Sequence, residues 1–197
     1  MRPGDPGAVV CFSRATLSGG SGGGNGGASA LHLAAELFNV RAGTQMVHVP
    51  FKGSGPALAA ALQAGVYLVK PSLRELQDLT GHPLTEPADQ LAACRQLIRS
   101  GQAQVVALTL GADGALLVSA EQAWRAQALR VPVASTIGAG DSFVGGMVWS
   151  LANSDAPEVA FRWGMAAGAA SLLMPGTALC QASDVQRLVH AVELTRL

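Results

Sequence analysis

Short apolar runs that alternate with helix-forming segments are the feature that most constrains the fold of this 197-residue chain. Val66–Val69 and Val105–Leu110 have the length and composition of buried strands. Ala115–Val118 follows a tight turn at Gly111–Gly114, and Leu129–Val133 is predicted as a further short strand. Strands that alternate with helices predict an α/β sheet sandwich.

The helical segments carry start signals that can be read directly. Ser72 and Glu75 form a capping box, in which each side chain satisfies the other residue's backbone N–H. Pro87 stands in the first turn of a helix that is predicted to run to about Arg99. The remaining helices are predicted over residues 55–63, 139–151, 156–173 and 182–197.

The first 28 residues differ from the rest. Seven of the ten positions from Ser18 to Gly27 are glycine, which brings no side chain to bury and loses the most backbone entropy on folding. Residues 1–28 are therefore predicted to be irregular. A phosphate-binding glycine loop is the alternative, but no Lys-Ser or Lys-Thr pair follows the glycines. Ser29–Val40 then predicts a helix and Gln45–Pro50 a short strand.

Composition excludes several classes of function. Thirteen basic residues balance thirteen acidic ones, which argues against a nucleic-acid partner. The sequence contains no run of 18 apolar residues, so it predicts no membrane-spanning helix. The first residues lack the apolar core of a secretory signal. Three cysteines without C-x-x-C spacing argue against a disulfide framework or a zinc site. A cytoplasmic location is expected.

The sequence Gly138-Ala139-Gly140-Asp141 lies between a predicted strand and a long predicted helix. Two glycines that adopt positive φ would turn backbone N–H groups inward and form an anion nest at the helix N-terminus. Asp141 would be an ionised carboxylate beside that nest, suited to accept a proton from a hydroxyl. The alternative is that Asp141 is only a favourable charge in the first turn and the glycines only packing residues.

Two further junctions and a helix face accompany this sequence. Lys70–Glu75 and Thr109–Gly114 each follow a predicted strand, and Gly164–Ser171 is a helix face of small residues that a flat group could approach. Ligands of open α/β sheets bind at the carboxyl ends of strands. The three junctions and the small-residue face together predict a binding cleft.

This order of motifs resembles the C-terminal half of the ribokinase/PfkB family of carbohydrate kinases. Gly138–Asp141 is similar to the family signature Gly-Ala-Gly-Asp, and Lys70-Pro71 with Glu75 is similar to Lys-Pro-Asn-x-x-Glu. Thr109–Gly114 is similar to the turn that contacts the nucleotide. Ser135 and the segment 176–180 are most similar to the minor-type 6-phosphofructokinase branch. The resemblance covers residues 54–197.

The resemblance implies an ATP-dependent phosphoryl transfer and assigns a role to each matching position. Asp141 would be the catalytic base, and the anion hole would be formed by Gly138, Ala139 and Gly140. ATP would be contacted by Thr109, Gly111, Gly114, Met165 and Ala169, and its phosphates by Lys70 and Ser72. Glu75 would lie near Mg²⁺. Potassium would be held near Ser135, Ile137, Ser171, Met174 and Gly176.

The acceptor that the resemblance implies is a sugar phosphate. Fructose 6-phosphate is the first candidate, and fructose 1-phosphate and tagatose 6-phosphate are alternatives.

A second resemblance concerns residues 29–53. The run from Gly26 to Phe38, continued by Val47–Gly53, is similar to a piece of the solute-binding receptors of tripartite tricarboxylate transporters. The predicted organisation is therefore a Gly-rich segment 1–28, a receptor-like fragment 29–53 and a kinase half-domain 54–197. This organisation predicts an incomplete ribokinase-like α/β sandwich. Because part of its sheet would be uncovered, a tendency to form homo-oligomers is expected. An inactive remnant, an interaction protein or a carboxylate-binding fragment are the alternative functions.

Overall fold

The computed structural model describes residues 54–176 and 178–197, with side chains from Leu58 onward. The helix predicted at 29–40, the strand predicted at 45–50 and the segments 1–28 and 29–53 lie outside the described residues. Within the described part, helices and strands alternate as the sequence predicts. The helices are α1 (Ser54–Ala64), α2 (Leu73–Thr80), α3 (Pro87–Arg99), α4 (Ala139–Ala152), α5 (Pro157–Leu172) and α6 (Ala182–Val189). The strands are β1 (Val66–Val69), β2 (Ala103–Thr109), β3 (Ala115–Ser119), β4 (Ala123–Ala126) and β5 (Leu194–Arg196).

The five described strands form one mixed sheet in the order β1-β2-β3-β4-β5. β1 and β2 are parallel, with Leu68 beside Val105, and helices α2 and α3 make the crossover between them. The other neighbouring pairs are antiparallel. β2 and β3 are joined by a short 3-10 turn, Gly111–Asp113.

Helices cover both faces of the sheet. On one face, Ala107 and Leu117 pack with Phe143, Met147 and Phe161 of α4 and α5. On the other face, a second cluster joins strand residues to helices α1, α2 and α3; it includes Leu62, Leu76, Cys94, Val106 and Leu116. In β2, Val105 and Ala107 belong to the first cluster, and Val106 and Leu108 belong to the second. The strand is therefore buried on both faces of the sheet. The predicted α/β sandwich is confirmed, and the prediction of an uncovered sheet is wrong for the faces of the described strands.

Two predicted elements are wrong. Residues 129–133 form no strand; the strand lies earlier, at β4, because a turn in which Ser119 bonds with Gln122 folds β4 back onto β3. The helix predicted over 182–197 ends at Val189, and β5 pairs with β4 instead. Arg196 there lies over the ring of Trp124, 5.8 Å from its centre.

The helices of the described part are too short or too polar to cross a bilayer. Cys94 and Cys180 are free thiols in this part of the chain. Burial raises the pKa of the Cys94 thiol to about 12, so it is protonated at neutral pH.

Candidate active site

The carboxyl ends of β1 and β2 meet at one edge of the sheet. Ser72 pairs with Thr109 in an isolated parallel bridge, and the Thr109 N–H donates to the Pro71 carbonyl at 3.0 Å. The two junctions that the sequence predicts to share a face therefore adjoin, because the strands that precede them are parallel neighbours.

The N-terminus of α4 faces the same edge. Gly138 caps this helix in the left-handed conformation, with φ of 79°, and its carbonyl accepts the Ser142 N–H at 2.8 Å. The prediction of positive φ is confirmed at Gly138 and wrong at Gly140, which lies within the first turn of the helix with an ordinary backbone conformation.

Lys70 lies against the backbone at position 140. A Cβ at Gly140 would lie 3.2 Å from Lys70 Nζ and 3.5 Å from Lys70 Cε. The side chain that follows β1 therefore crosses to the start of α4 and rests against its backbone. An ammonium group and the N–H groups of a helix N-terminus together make a site of positive potential.

Asp141 lies in the first turn of α4, one residue from this contact. Its side chain reaches solvent, but the protein atoms around it desolvate the carboxyl and raise its pKa above the ordinary 3.8, while the Lys70 charge acts in the lowering direction. The raised pKa makes Asp141 a better proton acceptor than a freely solvated carboxylate, provided that it is ionised at the working pH.

A cavity of about 990 Å³ opens beside these groups. It brings together most of the residues predicted to bind ATP or to form the anion hole: Ser72, Thr109, Gly111, Gly114, Ala139, Gly140, Met165 and Ala169. Apolar side chains of α4 and α5, among them Phe143 and Leu172, line one wall. Gly138, Lys70 and Asp141 are outside the lining, next to its Gly140 end.

The turn between β2 and β3 can be built only with glycine at its end. Gly111 and Gly114 have φ of 61° and 89°. A Cβ at Gly114 would lie 2.0 Å from the Ala126 carbonyl oxygen, which is far inside van der Waals contact. The turn is therefore pressed against the end of β4, and its backbone is exposed to the cavity.

The small-residue face of α5 serves mainly to pack helices. A Cβ at Gly164 would lie 2.6 Å from Met147 Cγ, and a Cβ at Gly168 would lie 3.3 Å from the Ala139 carbonyl oxygen. The prediction that this face admits a flat group is therefore wrong for Gly164, which lets α4 approach. Met165, Gly168 and Ala169 of the same helix do line the cavity.

Ser72 and Glu75 form the predicted capping box. The Ser72 N–H and hydroxyl both donate to Glu75 Oε2, at 2.8 and 2.9 Å, and the Glu75 N–H donates to the Ser72 hydroxyl at 3.3 Å. The Glu75 carboxylate thus has a structural role at the start of α2. In the described residues no three His, Cys, Asp or Glu side chains gather into a metal-binding group.

The residues predicted to hold potassium are brought together in part. The N–H groups of Ala134 and Ser135 donate to the Leu172 carbonyl, at 2.7 and 3.4 Å, which fixes this loop against the end of α5. The Ile137 N–H donates to the Ser135 hydroxyl at 3.2 Å. Ser171 is buried beside them, and its hydroxyl donates to the Gly168 carbonyl at 2.8 Å. The described hydrogen bonds do not join Gly176 to this group.

Sequence reasoning missed the wall of the cavity that follows β4. Arg125 and a segment that includes Leu129, Arg130, Val131 and Val133 line it. The segment was predicted as a strand because of its apolar residues. Pro132, which cannot donate a ladder hydrogen bond, is the signal that could have placed it outside the sheet.

A glycine-capped helix N-terminus, a lysine and a carboxylate lie together beside a largely apolar cavity at the edge of the α/β sheet. The chain belongs to the pfkB family of carbohydrate kinases, whose sequence profile matches residues 28–184. That match also runs across residues 29–53, for which the resemblance to transport receptors stays a prediction.

Individual relatives agree with this assignment. The chain is 43% identical over 136 residues to ATP-dependent 6-phosphofructokinase isozyme 2 of Escherichia coli, covering 68% of this chain and 44% of the relative. It is 37% identical over 144 residues to 1-phosphofructokinase of the same organism, covering 73% and 46%. The chain therefore spans less than half the length of these curated relatives.

Solved structures show the same fold. Phosphofructokinase-2 from Escherichia coli, in complex with substrates and products, matches with a TM-score of 0.67 and 42% identity over 70% of this chain and 45% of its own. Other structures of that enzyme contain fructose 6-phosphate, contain potassium or are a tetrameric inhibited form. Ribokinase from Thermotoga maritima matches with a TM-score of 0.55 and 26% identity, covering 62% and 42%. The fold is ribokinase-like, and this chain holds part of the domain.

Proposed function

We propose that the chain supplies the nucleotide-binding and catalytic part of an ATP-dependent kinase that phosphorylates a hydroxyl of a sugar phosphate. The observation that carries the proposal is the contact of Lys70 with Gly140, one residue from Asp141, at the end of the cavity. It brings a cation, the N-terminal turn of α4 and a carboxylate to one end of the cavity.

The proposed mechanism uses these three groups together. The N–H groups at the start of α4 and the Lys70 ammonium stabilise the negative charge that spreads over the transferred phosphoryl group. Asp141 accepts the proton of the attacking hydroxyl, and its raised pKa brings it closer to the working pH. Since phosphoryl transfer depends mostly on positioning and electrostatics, these groups together with a bound Mg²⁺ would be sufficient chemically.

The described residues fit a nucleotide. The cavity is large enough for a nucleoside triphosphate, and its apolar wall at Phe143, Met165 and Ala169 suits a base. In the Gly111–Gly114 turn the N–H groups of Asp113 and Gly114 already donate to Leu110 and Gly111, so the N–H groups of Gly111 and Ala112 are the ones that would donate to the ribose or the phosphates. Glu75 is the residue that would hold Mg²⁺ from the protein side, and the ion would supply charge neutralisation at the phosphates.

Potassium fits less completely. Ser135, Ile137 and Ser171 offer backbone and hydroxyl oxygens near the end of α5, with the Ser171 hydroxyl engaged by Gly168. We assign them a supporting role: a bound monovalent cation would fix the loop that precedes the Gly138 cap.

The relatives support a proposal for the acceptor. Since a 6-phosphofructokinase and a 1-phosphofructokinase both match this chain, a fructose phosphate is the proposed substrate class, with fructose 6-phosphate first because the 6-phosphofructokinase is the more similar of the two. Homo-oligomer formation stays a prediction for this chain.

A coupled ADP-release assay tests the proposal. The full chain is given MgATP with fructose 6-phosphate, fructose 1-phosphate or tagatose 6-phosphate in turn, beside Asp141→Asn and the control Asp78→Asn on the exposed side of α2. Turnover that depends on the sugar phosphate and falls about 100-fold or more only in Asp141→Asn supports the proposal. Equal turnover in Asp141→Asn would refute the role of Asp141, and no turnover with any acceptor would refute the kinase activity of this chain.

A further inference from the structure

One wall of the cavity carries two arginines that the motifs above do not explain. Arg125, on β4, and Arg130, on the segment that follows, both line the cavity, and among the described lining residues Asp113 is the only one with a carboxylate. Arg125 has a structural role, because its Nη2 donates to the Asp113 carbonyl at 3.4 Å and so stabilises the Gly111–Gly114 turn.

Arg130 has no comparable structural contact among the described residues. It is exposed to solvent, and in the described part of the chain it has neither a hydrogen bond nor an ion pair. Its neighbours Leu129 and Val131 are partly buried against the core cluster that contains Met165 and Ala169. The backbone on both sides of Arg130 is therefore anchored at the apolar wall, while its guanidinium is available to a ligand in the cavity.

The position of Arg130 decides which part of a nucleotide it can meet. The phosphate end of the cavity is at Gly140, where Lys70 and the helix N-terminus already supply positive charge. Arg130 lies instead in an apolar stretch of the lining, between Leu129 and Val131. A planar, weakly hydrated guanidinium stacks favourably on an aromatic face, whereas the compact ammonium of lysine is strongly hydrated.

We infer that Arg130 binds the nucleobase by stacking on the ring face that the apolar wall leaves uncovered. This inference rests on the proposed nucleotide site. The contact increases the affinity for the nucleotide and contributes nothing to the transferred phosphoryl group. Arg130 is then a residue that sets KM for ATP and leaves kcat unchanged.

Calorimetric titration of the full chain with ATP, ADP and AMP tests this inference. The variants are Arg130→Gln, Arg130→Lys and, as a control, Arg95→Gln on the exposed side of α3. Stacking predicts a loss of affinity of about three- to fivefold in both Arg130 variants, equal for the three nucleotides because they share one base. Arg95→Gln is expected to bind like the wild type.

Other outcomes separate this inference from the proposed function. A loss that grows with the number of phosphates and is restored by Arg130→Lys would overturn stacking in favour of a phosphate contact. Unchanged affinity in Arg130→Gln would overturn any role for Arg130 while leaving the nucleotide site intact. If the wild type binds none of the three nucleotides, the proposed function fails, and the inference fails with it.

Discussion

Lys70 rests against Gly140 at the start of α4 and opposes the effect of burial on the pKa of Asp141. Lys70 and Asp141 come from segments that are distant in the sequence, one directly after β1 and the other at the start of α4. Their proximity joins the charge that binds a phosphoryl group to the carboxylate that would receive the proton. Each prediction about catalysis follows from this pair.

Replacing Lys70 by methionine is expected to raise the pKa of Asp141 further. Without the ammonium, desolvation acts unopposed on the carboxylate, so the acid limb of the kcat/KM profile should move to higher pH. The check is a pH–rate profile of Lys70→Met beside the wild type. An acid limb that stays in place or moves to lower pH would contradict the electrostatic coupling.

Gly140→Ala is expected to displace Lys70 without unfolding the chain. The new Cβ would lie 3.2 Å from Nζ, the flexible end of a long side chain, so the ammonium can move away at little cost in stability. Without the proposed charge-assisted hydrogen bond between the Lys70 ammonium and the phosphates, MgATP binding should weaken about tenfold or more. The matched control is Gly145→Ala in the same helix, where nothing lies within 4 Å of the added Cβ.

The raised pKa of Asp141 also predicts the effect of pH on stability. A carboxyl whose pKa is higher in the folded than in the unfolded state makes folding less favourable once the pH exceeds the unfolded value, about 3.9, and the full cost is present above the folded pKa. Asp141→Asn removes that cost, so its melting temperature should exceed that of the wild type at pH 7. The difference should shrink as the pH falls toward 4. A less stable variant at pH 7 would contradict the direction of the shift.

Neighbouring glycines of α4 should respond oppositely to alanine. A Cβ at Gly146 would lie 2.6 Å from the Trp163 carbonyl oxygen and 2.9 Å from Ala167 Cβ, so Gly146→Ala must push α5 away. We expect it to lose about 1–3 kcal/mol of unfolding free energy. Gly145→Ala should gain up to about 1 kcal/mol, because alanine favours a helix. Urea unfolding of both variants measures the difference; equal stabilities would contradict the close packing of α4 on α5.

Local signals made much of the fold predictable. The Ser72–Glu75 capping box and Pro87 in the first turn of α3 depend on residues a few positions apart, and both are confirmed. The apolar runs of β1 and β2 are also confirmed, because burial on both faces imposes an apolar composition.

The positions of β4 and β5 depend on pairing between strands and could not be predicted from the local sequence. β4 and β5 are short and have no clear alternation; β4 exists because it pairs with β3, and β5 because it pairs with β4. The positive φ predicted for the glycine motif is confirmed at Gly138 but not at Gly140. At Gly140 the lack of a side chain leaves room for Lys70, which approaches from the end of β1, and no spacing along the chain reveals that contact.

Phosphorus NMR of the full chain with MgATP and fructose 6-phosphate follows the γ-phosphoryl group directly and so tests its transfer at the Lys70–Asp141 pair. We expect a new sugar phosphomonoester signal that grows as ATP is consumed, and its loss in Asp141→Asn but not in Asp78→Asn. Consumption of ATP to inorganic phosphate alone, or a phosphomonoester signal that persists in Asp141→Asn, would contradict transfer at this pair.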